Sequence, residues 1–257
     1  MRKNYYFKTL CILAAFVCAS FGAKAQLTHL EQSVYLNFSL PSAQFNDDVT
    51  TIPMRRFNVG KGAGLGLGLG YRVTYRFDVG FGEVSPYINA DLFWNRSKSD
   101  IRDMYMDAND GSFPNYINIP IFVGVNYRYQ LTEIFTPFAE FGFGPDILFI
   151  TKESGNMTNA VVPGIATPVD YEFSLKYQTT TKLAYQVGLG CYFGQHVSAS
   201  LHWYGYGKHA IKYTNATENK IASTLTEVNQ LDLAEANYNK TQSRNLGAFA
   251  LRIGFHF

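Results

Sequence analysis

Cysteine is nearly absent from this chain. Three occur in 257 residues. Two of them, Cys11 and Cys18, lie in an N-terminal stretch that reads as an export signal. Cys191 then stands alone, which excludes an intrachain disulfide. Long apolar runs are missing too. Beyond the N-terminus no stretch reaches the roughly 18 uninterrupted apolar residues of a membrane-crossing helix. Charge is scarce, at 16% of residues against a usual ~25%. No group of histidines and cysteines has metal-ligand spacing, and no cofactor is expected.

The signal is short and ordered. Arg2, Lys3 and Lys8 precede an apolar run over 10–21, and Ala23-Lys24-Ala25 has the small-x-small form of a cleavage site. Removal of residues 1–25 leaves a single domain over 26–257. Four cations leave with it (Arg2, Lys3, Lys8, Lys24) and no acid, so the formal charge moves from +2 to −2. Nucleic-acid binding therefore has no electrostatic support.

What the chain does have is aromatics, 16% of residues, and strict alternation. Eight segments show period-2 patterning: 31–41, 62–76, 85–97, 115–129, 135–150, 179–194, 196–212 and 244–257. Successive side chains of a strand point to opposite faces. One face is apolar throughout, as in Leu65, Leu67, Leu69, Ile117, Ile119, Ile121, Phe141, Phe143, Val187 and Leu189, and carries no charge. The other is small or polar, with Asn37, Gly64, Gly66, Gly68, Gly70, Asn89, Asn118, Gly142, Gln186 and Ser200 among its members.

Two barrels fit eight alternating strands. A soluble barrel hides the apolar rows inside, and a transmembrane barrel turns them to lipid. A wet exterior needs many lysines and glutamates. The polar rows here are mostly glycine, alanine, serine and asparagine, so they suit a crowded lumen. A cation at the lipid midplane costs about 2–4 kcal/mol, which accounts for an apolar face free of charge. The expected fold is all-β, an eight-stranded antiparallel up-and-down transmembrane barrel. Connections alternate short (77–84, 130–134, 195) and long (42–61, 98–114, 151–178, 213–243), the pattern of short periplasmic turns and long extracellular loops. An even strand number puts both ends of the mature chain in the periplasm. Tyr75, Tyr127, Phe135, Phe193, Phe255 and Phe257 are expected near that side. Trp94, Trp203 and Phe149 are expected near the other.

The stretch AGLGLGLGYRVTYR at 63–76 is not a phosphate loop. Its spacing is wrong, and YRVTYR continues the strand pattern. In an eight-stranded barrel the lumen barely holds side chains. The four glycines are read as room for large inward neighbours, with Tyr35, Tyr87 and Phe93 as candidates. A ligand-sized cavity is the sharper alternative.

The chain resembles the small outer-membrane β-barrel family of Gram-negative bacteria, in the porin-family or OmpA/OmpX-like group. The carriers are the signal, LPSAQF at 40–45, NIPIFVGVNYRY at 118–129 and the terminal FALRIGFHF. The resemblance implies an outer-membrane location, contact with outer-membrane lipid and lipopolysaccharide, and a C-terminal signal for the barrel-assembly machinery. That signal is carried by Phe249, Leu251, Ile253, Phe255 and Phe257. It is weak evidence for any activity.

Arg72, Asp91, Glu140, His202 and Arg252 fall four to seven residues up their strands, facing inward. Buried charges need partners, so a structural plug closing the lumen is expected, with a gate or proton-linked site as the alternative. An Arg72 or Arg252 guanidinium should reach Asp91 or Glu140. No enzyme is expected. His209, beside Lys208, lies near the outer rim with lipid as its candidate environment, but no serine follows at a short spacing. Asp103, Asp107 and Asp110 do not form a calcium loop. The stretch 98–114 reads as irregular. In 214–243, Ile221, Leu225 and Val228 have helical spacing, against a mobile polar loop. The leading role is structural or interaction, with loops offering a surface to an extracellular protein or host ligand. Transport of small solutes or apolar molecules is second, and an enzyme at the rim is third.

Overall fold

Strands of branched and aromatic residues alternating with small polar ones can bury one face only. Closing the sheet on itself satisfies every edge. The computed structural model describes residues 29–47, 60–103, 111–160, 169–219 and 242–257. Twelve strands occur there. They are β1 (Leu30–Ala43), β2 (Ala63–Tyr75), β3 (Phe77–Asp78), β4 (Glu83–Ser97), β5 (Tyr116–Arg128), β6 (Phe135–Ile150), β7 (Glu153–Ala160), β8 (Val169–Tyr177), β9 (Thr180–Phe193), β10 (Val197–Ile211), β11 (Tyr213–Asn219) and β12 (Gln242–His256).

Eight of them make the wall. Neighbours run β2-β1-β12-β10-β9-β6-β5-β4, and β4 pairs back with β2, so the cylinder closes. All pairings are antiparallel, and the seam joins the first and last strands with Asn37 opposite Arg252. The eight segments read from alternation match these strands to within about two residues at each end. Among the described residues no helix is long and apolar enough to cross a membrane.

The faces divide as the pattern implies. Leu67 is 55% exposed and Phe141 52%, whereas Arg72 and Arg252 are 2% and 1% exposed. At the end where β1 begins and β12 finishes (the terminal end), Tyr75, Phe135, Phe193 and Phe255 ring the outer surface. At the opposite, long-loop end, Trp94, Phe149 and Phe249 do the same. Trp203 packs on Phe249 with ring centroids 4.7 Å apart.

The loops hold more order than their composition suggests. Strands β7, β8 and β11 form a separate three-stranded sheet in the order β11-β8-β7. Residues 99–103 are helical within the connection expected to be irregular, and 104–110 lie outside the described residues. So do the signal segment and the Ile221, Leu225 and Val228 spacing.

One irregularity alters the reading of β10. Its pairing with β12 shifts between Gly205 and Gly207, a bulge, and Gly207 has φ +83°. The extra residue reverses which parity faces inward. His202 and Tyr204 point into the lumen before it, and His209 and Ile211 after it. His209 is therefore fully buried rather than lipid-facing.

Candidate functional site

The lumen is filled in layers, and charge dominates the half nearer the termini. At its floor Arg128 Nη1 and Nη2 each donate to Glu31 at 2.7 Å. Arg128 Nε donates to Asn126 Oδ1 at 3.1 Å, and the guanidinium lies 4.2 Å from the Tyr192 ring centroid. His256 Nδ1 sits 3.2 Å from Glu31 Oε1 and 2.8 Å from Ser33 Oγ. Below this layer a recess of about 870 Å³ opens at the terminal end, lined by Glu31, Arg76, Glu133, His196 and His256 among others.

One step further in, Arg72 forks onto Glu140, with Nη1 to Oε2 at 2.7 Å and Nη2 to Oε1 at 2.6 Å. Planar guanidinium and carboxylate match in this bidentate geometry. Glu140 also accepts from Asn126 Nδ2 at 3.0 Å and Gln186 Nε2 at 3.3 Å. The Arg72 guanidinium lies 3.9 Å from the Tyr87 ring centroid. His202 Nδ1 is 3.5 Å from Glu140 Oε1, and its Nε2 hydrogen-bonds Ser200 Oγ at 2.8 Å.

The second arginine serves a second acid. Arg252 Nη2 donates to Asp91 Oδ2 at 2.7 Å, and Nε donates to Asn37 Oδ1 at 3.0 Å. The same Nη2 makes a short hydrogen bond to Tyr204. Asp91 is further held by Asn89 Nδ2 at 2.7 Å and Tyr204 Oη at 3.2 Å. Arg252 Nη1 approaches Glu140 Oε1 to 3.7 Å, which links the two pairs. Arg72, Asp91, Glu140, His202 and Arg252 thus come together in one network. Each is 5% exposed or less.

Above the network the lumen turns aromatic. Phe93 packs on Tyr204 and Tyr206 at 4.9 and 6.2 Å between centroids, and Phe122 lies 6.1 Å from Tyr204. Higher still, Asp146 accepts from Asn118 Nδ2 at 2.9 Å. It faces His209 Nε2 at 3.1 Å. Thr180 Oγ1 meets His209 Nδ1 at 2.7 Å. Phe45, from the first long loop, closes the mouth against Tyr116 at 5.1 Å.

The glycine ladder has a spatial reason. A Cβ on Gly68 would lie 2.8 Å from Phe93 Cδ1, and one on Gly70 would collide with Asp91 Oδ1. Those glycines seat the inward side chains of β4, the neighbouring strand. Tyr87 is different. Its ring lies over Gly124 and Gly142 of β5 and β6, so the β2 glycines are not what makes room for it.

Sequence reasoning missed two groups. Arg128, Glu31 and His256 all have inward parity, His256 lying between the outward Phe255 and Phe257, but spacing along a strand does not show that the ends of β5, β1 and β12 meet across the lumen. The Asp146–His209 contact was hidden by the bulge, for which the spacing Gly205-Tyr206-Gly207 was the available signal.

A closed eight-stranded cylinder, greasy outside and ionic within, defines the class of outer-membrane barrels. The chain belongs to the outer membrane protein beta-barrel domain family, whose model matches residues 10–255. That membership places it in the Gram-negative outer membrane, in contact with membrane lipid. No curated protein matches the sequence significantly. Among solved structures, the chain is similar to Ail, the attachment invasion locus protein of Yersinia pestis, at 11% identity and a TM-score of 0.41, over 90% of this chain and 100% of that one. OprG from Pseudomonas aeruginosa is similar at 12% identity and a TM-score of 0.39, over 90% and 96%. A major outer membrane protein from Thermus thermophilus is similar at 12% and 0.40, over 89% and 99%.

Proposed function

We propose that this protein is a sealed barrel with a structural or interaction role, standing with its termini in the periplasm and its long loops outside. The loops would offer a binding surface to an extracellular protein or a host ligand. The reading is carried by one observation: the lumen is blocked twice in series. An ionic layer around Glu140 is followed by the aromatic layer of Phe93, Phe122, Tyr204 and Tyr206. A solute would have to displace both. Purified protein in planar bilayers tests this. Absence of steady ion conductance is expected, and a stable open level in the wild type overturns it.

The recess below Glu31 and Arg128 favours a second reading, small-solute passage through a lumen that opens from the terminal side. The same recording separates the two. The row Phe249, Leu251, Ile253, Phe255 and Phe257 is assigned as the signal for the barrel-assembly machinery. Phe257→Ala should slow assembly in cells and leave refolding into detergent unchanged. Equal slowing of both would reject the assignment.

A further inference from the structure

On the loop side of the aromatic layer the lumen holds a cluster that the ionic plug does not use. Asn118 of β5, Asp146 of β6 and Tyr206 of β10 are each fully buried. Three of their oxygens, Asn118 Oδ1, Asp146 Oδ1 and Tyr206 Oη, have no hydrogen-bond partner among the described residues. Buried polar groups are nearly always satisfied, so three orphans in one layer ask for an occupant. They belong to neighbouring groups. Asn118 Nδ2 donates to Asp146 Oδ2 at 2.9 Å, and among charged groups Asp146 acts most strongly on the Tyr206 phenol. The Asn118 amide cannot be turned over, since its oxygen would then face a carboxylate oxygen, acceptor against acceptor.

Asp146 also lacks a countercharge. His209 Nε2 lies 2.9 Å from the Tyr206 carbonyl oxygen and 3.1 Å from Asp146 Oδ2. A carbonyl only accepts, so Nε2 carries the hydrogen. Nδ1 then accepts from the Thr180 hydroxyl at 2.7 Å. A neutral ring satisfies every one of these contacts, and both of its nitrogens are taken. The basic residues nearby do not answer Asp146 either. Lys182 stands opposite it in the β6–β9 register but is exposed, and among the described residues no ion pair joins them. Arg244 stands opposite His209 and acts on Tyr116, not on Asp146. The bulge builds this arrangement. It adds Tyr206 to the inward row and brings the Tyr206 carbonyl to His209, a use of bulges common beside functional sites.

The donor set selects the ion. One carboxylate supplies one negative charge, which one positive charge balances. Calcium takes about six to eight oxygens, several of them from carboxylates. Zinc takes histidine and cysteine, and among the described residues no group of three His, Cys, Asp or Glu could hold a metal ion. A proton shared by Asp146 and Asn118 would satisfy two oxygens and leave the Tyr206 hydroxyl alone. A cation takes all three. We infer that the oxygens of Asn118, Asp146 and Tyr206 bind a single monovalent alkali cation. It enters from the loop side, where Phe45 covers the mouth against Tyr116. The inference goes beyond the sealed-barrel reading and does not depend on it, because the site fills from one side whether or not the lumen conducts.

The test uses the full-length barrel in neutral lipid vesicles, prepared in mixtures of sodium chloride and choline chloride at one total concentration. The urea unfolding midpoint is read by intrinsic fluorescence. Sodium should raise the midpoint, by equal steps per tenfold once the site is mostly filled. Crystals soaked in thallium(I) acetate should show an anomalous peak in contact with Asp146 Oδ1 and Asn118 Oδ1. Asp146→Asn should lose both the sodium response and the peak. His209→Gln keeps an N–H toward Asp146 and should retain both. Should Asp146→Asn not fold, Tyr206→Phe decides: losing one ligand, it should need at least tenfold more sodium for the same response. Equal midpoints in sodium and choline would overturn the site and mark Asp146 as protonated. An undiminished response in Asp146→Asn or Tyr206→Phe would place any bound cation elsewhere. Density at the site without an anomalous signal would make the occupant a water. A sodium response seen only in His209→Gln would make the imidazolium the countercharge. Each of these results refutes the inference.

Discussion

Glu140→Gln tests the ionic layer most directly. Glu140 is the hub, taking two hydrogen bonds from Arg72 at 2.6 and 2.7 Å and one each from Asn126 and Gln186. Glutamine keeps the shape but presents an NH₂ group to a guanidinium. Arg72, 2% exposed, would keep its charge without a carboxylate beside it, because Asp91 is engaged by Arg252. Removing one partner of a buried pair costs about 3–5 kcal/mol. With a urea dependence of about 2–3 kcal/mol per molar, the unfolding midpoint in lipid vesicles should fall by roughly 1–2 M. The double variant Arg72→Met/Glu140→Leu removes both charges and should regain at least half of the loss, since a buried pair and an apolar replacement are often close in energy. Conductance should stay nil in both variants, because Phe93, Phe122, Tyr204 and Tyr206 lie further along the same path. A loss in Glu140→Gln below about 1 kcal/mol would refute the argument, as would a double variant worse than either single change.

Other outcomes follow from single positions. Gly207→Ala and Gly80→Ala both place a side chain at φ +83°, but only Gly207 has a carbonyl, that of Leu183, 2.6 Å from the new Cβ. The backbone strain, about 1–3 kcal/mol, should be shared, and denaturant titration should show Gly207→Ala to be the worse of the two. His209→Leu removes the imidazole that faces the buried Asp146 carboxyl at 3.1 Å, leaves Asn118 as its hydrogen-bond donor, and should cost about 1–3 kcal/mol by the same titration. No measurable loss would show that the Asp146–His209 contact does not stabilise the barrel. Leu67→Lys puts a cation on the exposed belt and should weaken folding into bilayers by about 2–4 kcal/mol at midplane depth. Little effect would place Leu67 near an interface instead.

The wall was legible because period-2 patterning is enforced twice, by hydrocarbon on one side and a narrow lumen on the other. Leu65, Leu67 and Leu69 have no alternative face, and Arg72 has none but the inner one. The middle network was readable for the same reason. Strand tilt did not hide it, since Arg72, Asp91, Glu140, His202 and Arg252 lie at similar heights above the terminal end. Parity failed wherever the ladder was irregular. One inserted residue at Gly205–Gly207 turned His209 from a rim residue into a buried partner of Asp146 and Thr180. Glu31 and His256 have inward parity as well, but parity does not tell which inward residues meet across the lumen, so their meeting with Arg128 was not legible. The sheet of β7, β8 and β11 was missed because β7 (ESGNMTNA) and β11 (YTNATEN) are polar and owe their form to backbone pairing, and the alternation that β8 does carry, VDYEFSLKY, lay inside a stretch assigned to a long connection.

The seam between β1 and β12 gives the order of synthesis a meaning. Arg252 belongs to the last strand made, whereas Asn37 and Asp91, its partners, are made early. Until the final segment docks, Asp91 has no guanidinium and the open sheet has two raw edges. Contacts this distant in sequence form slowly. The nascent chain must therefore be sheltered up to the end, and a truncated one carries an unanswered negative charge that sets it apart from a finished barrel.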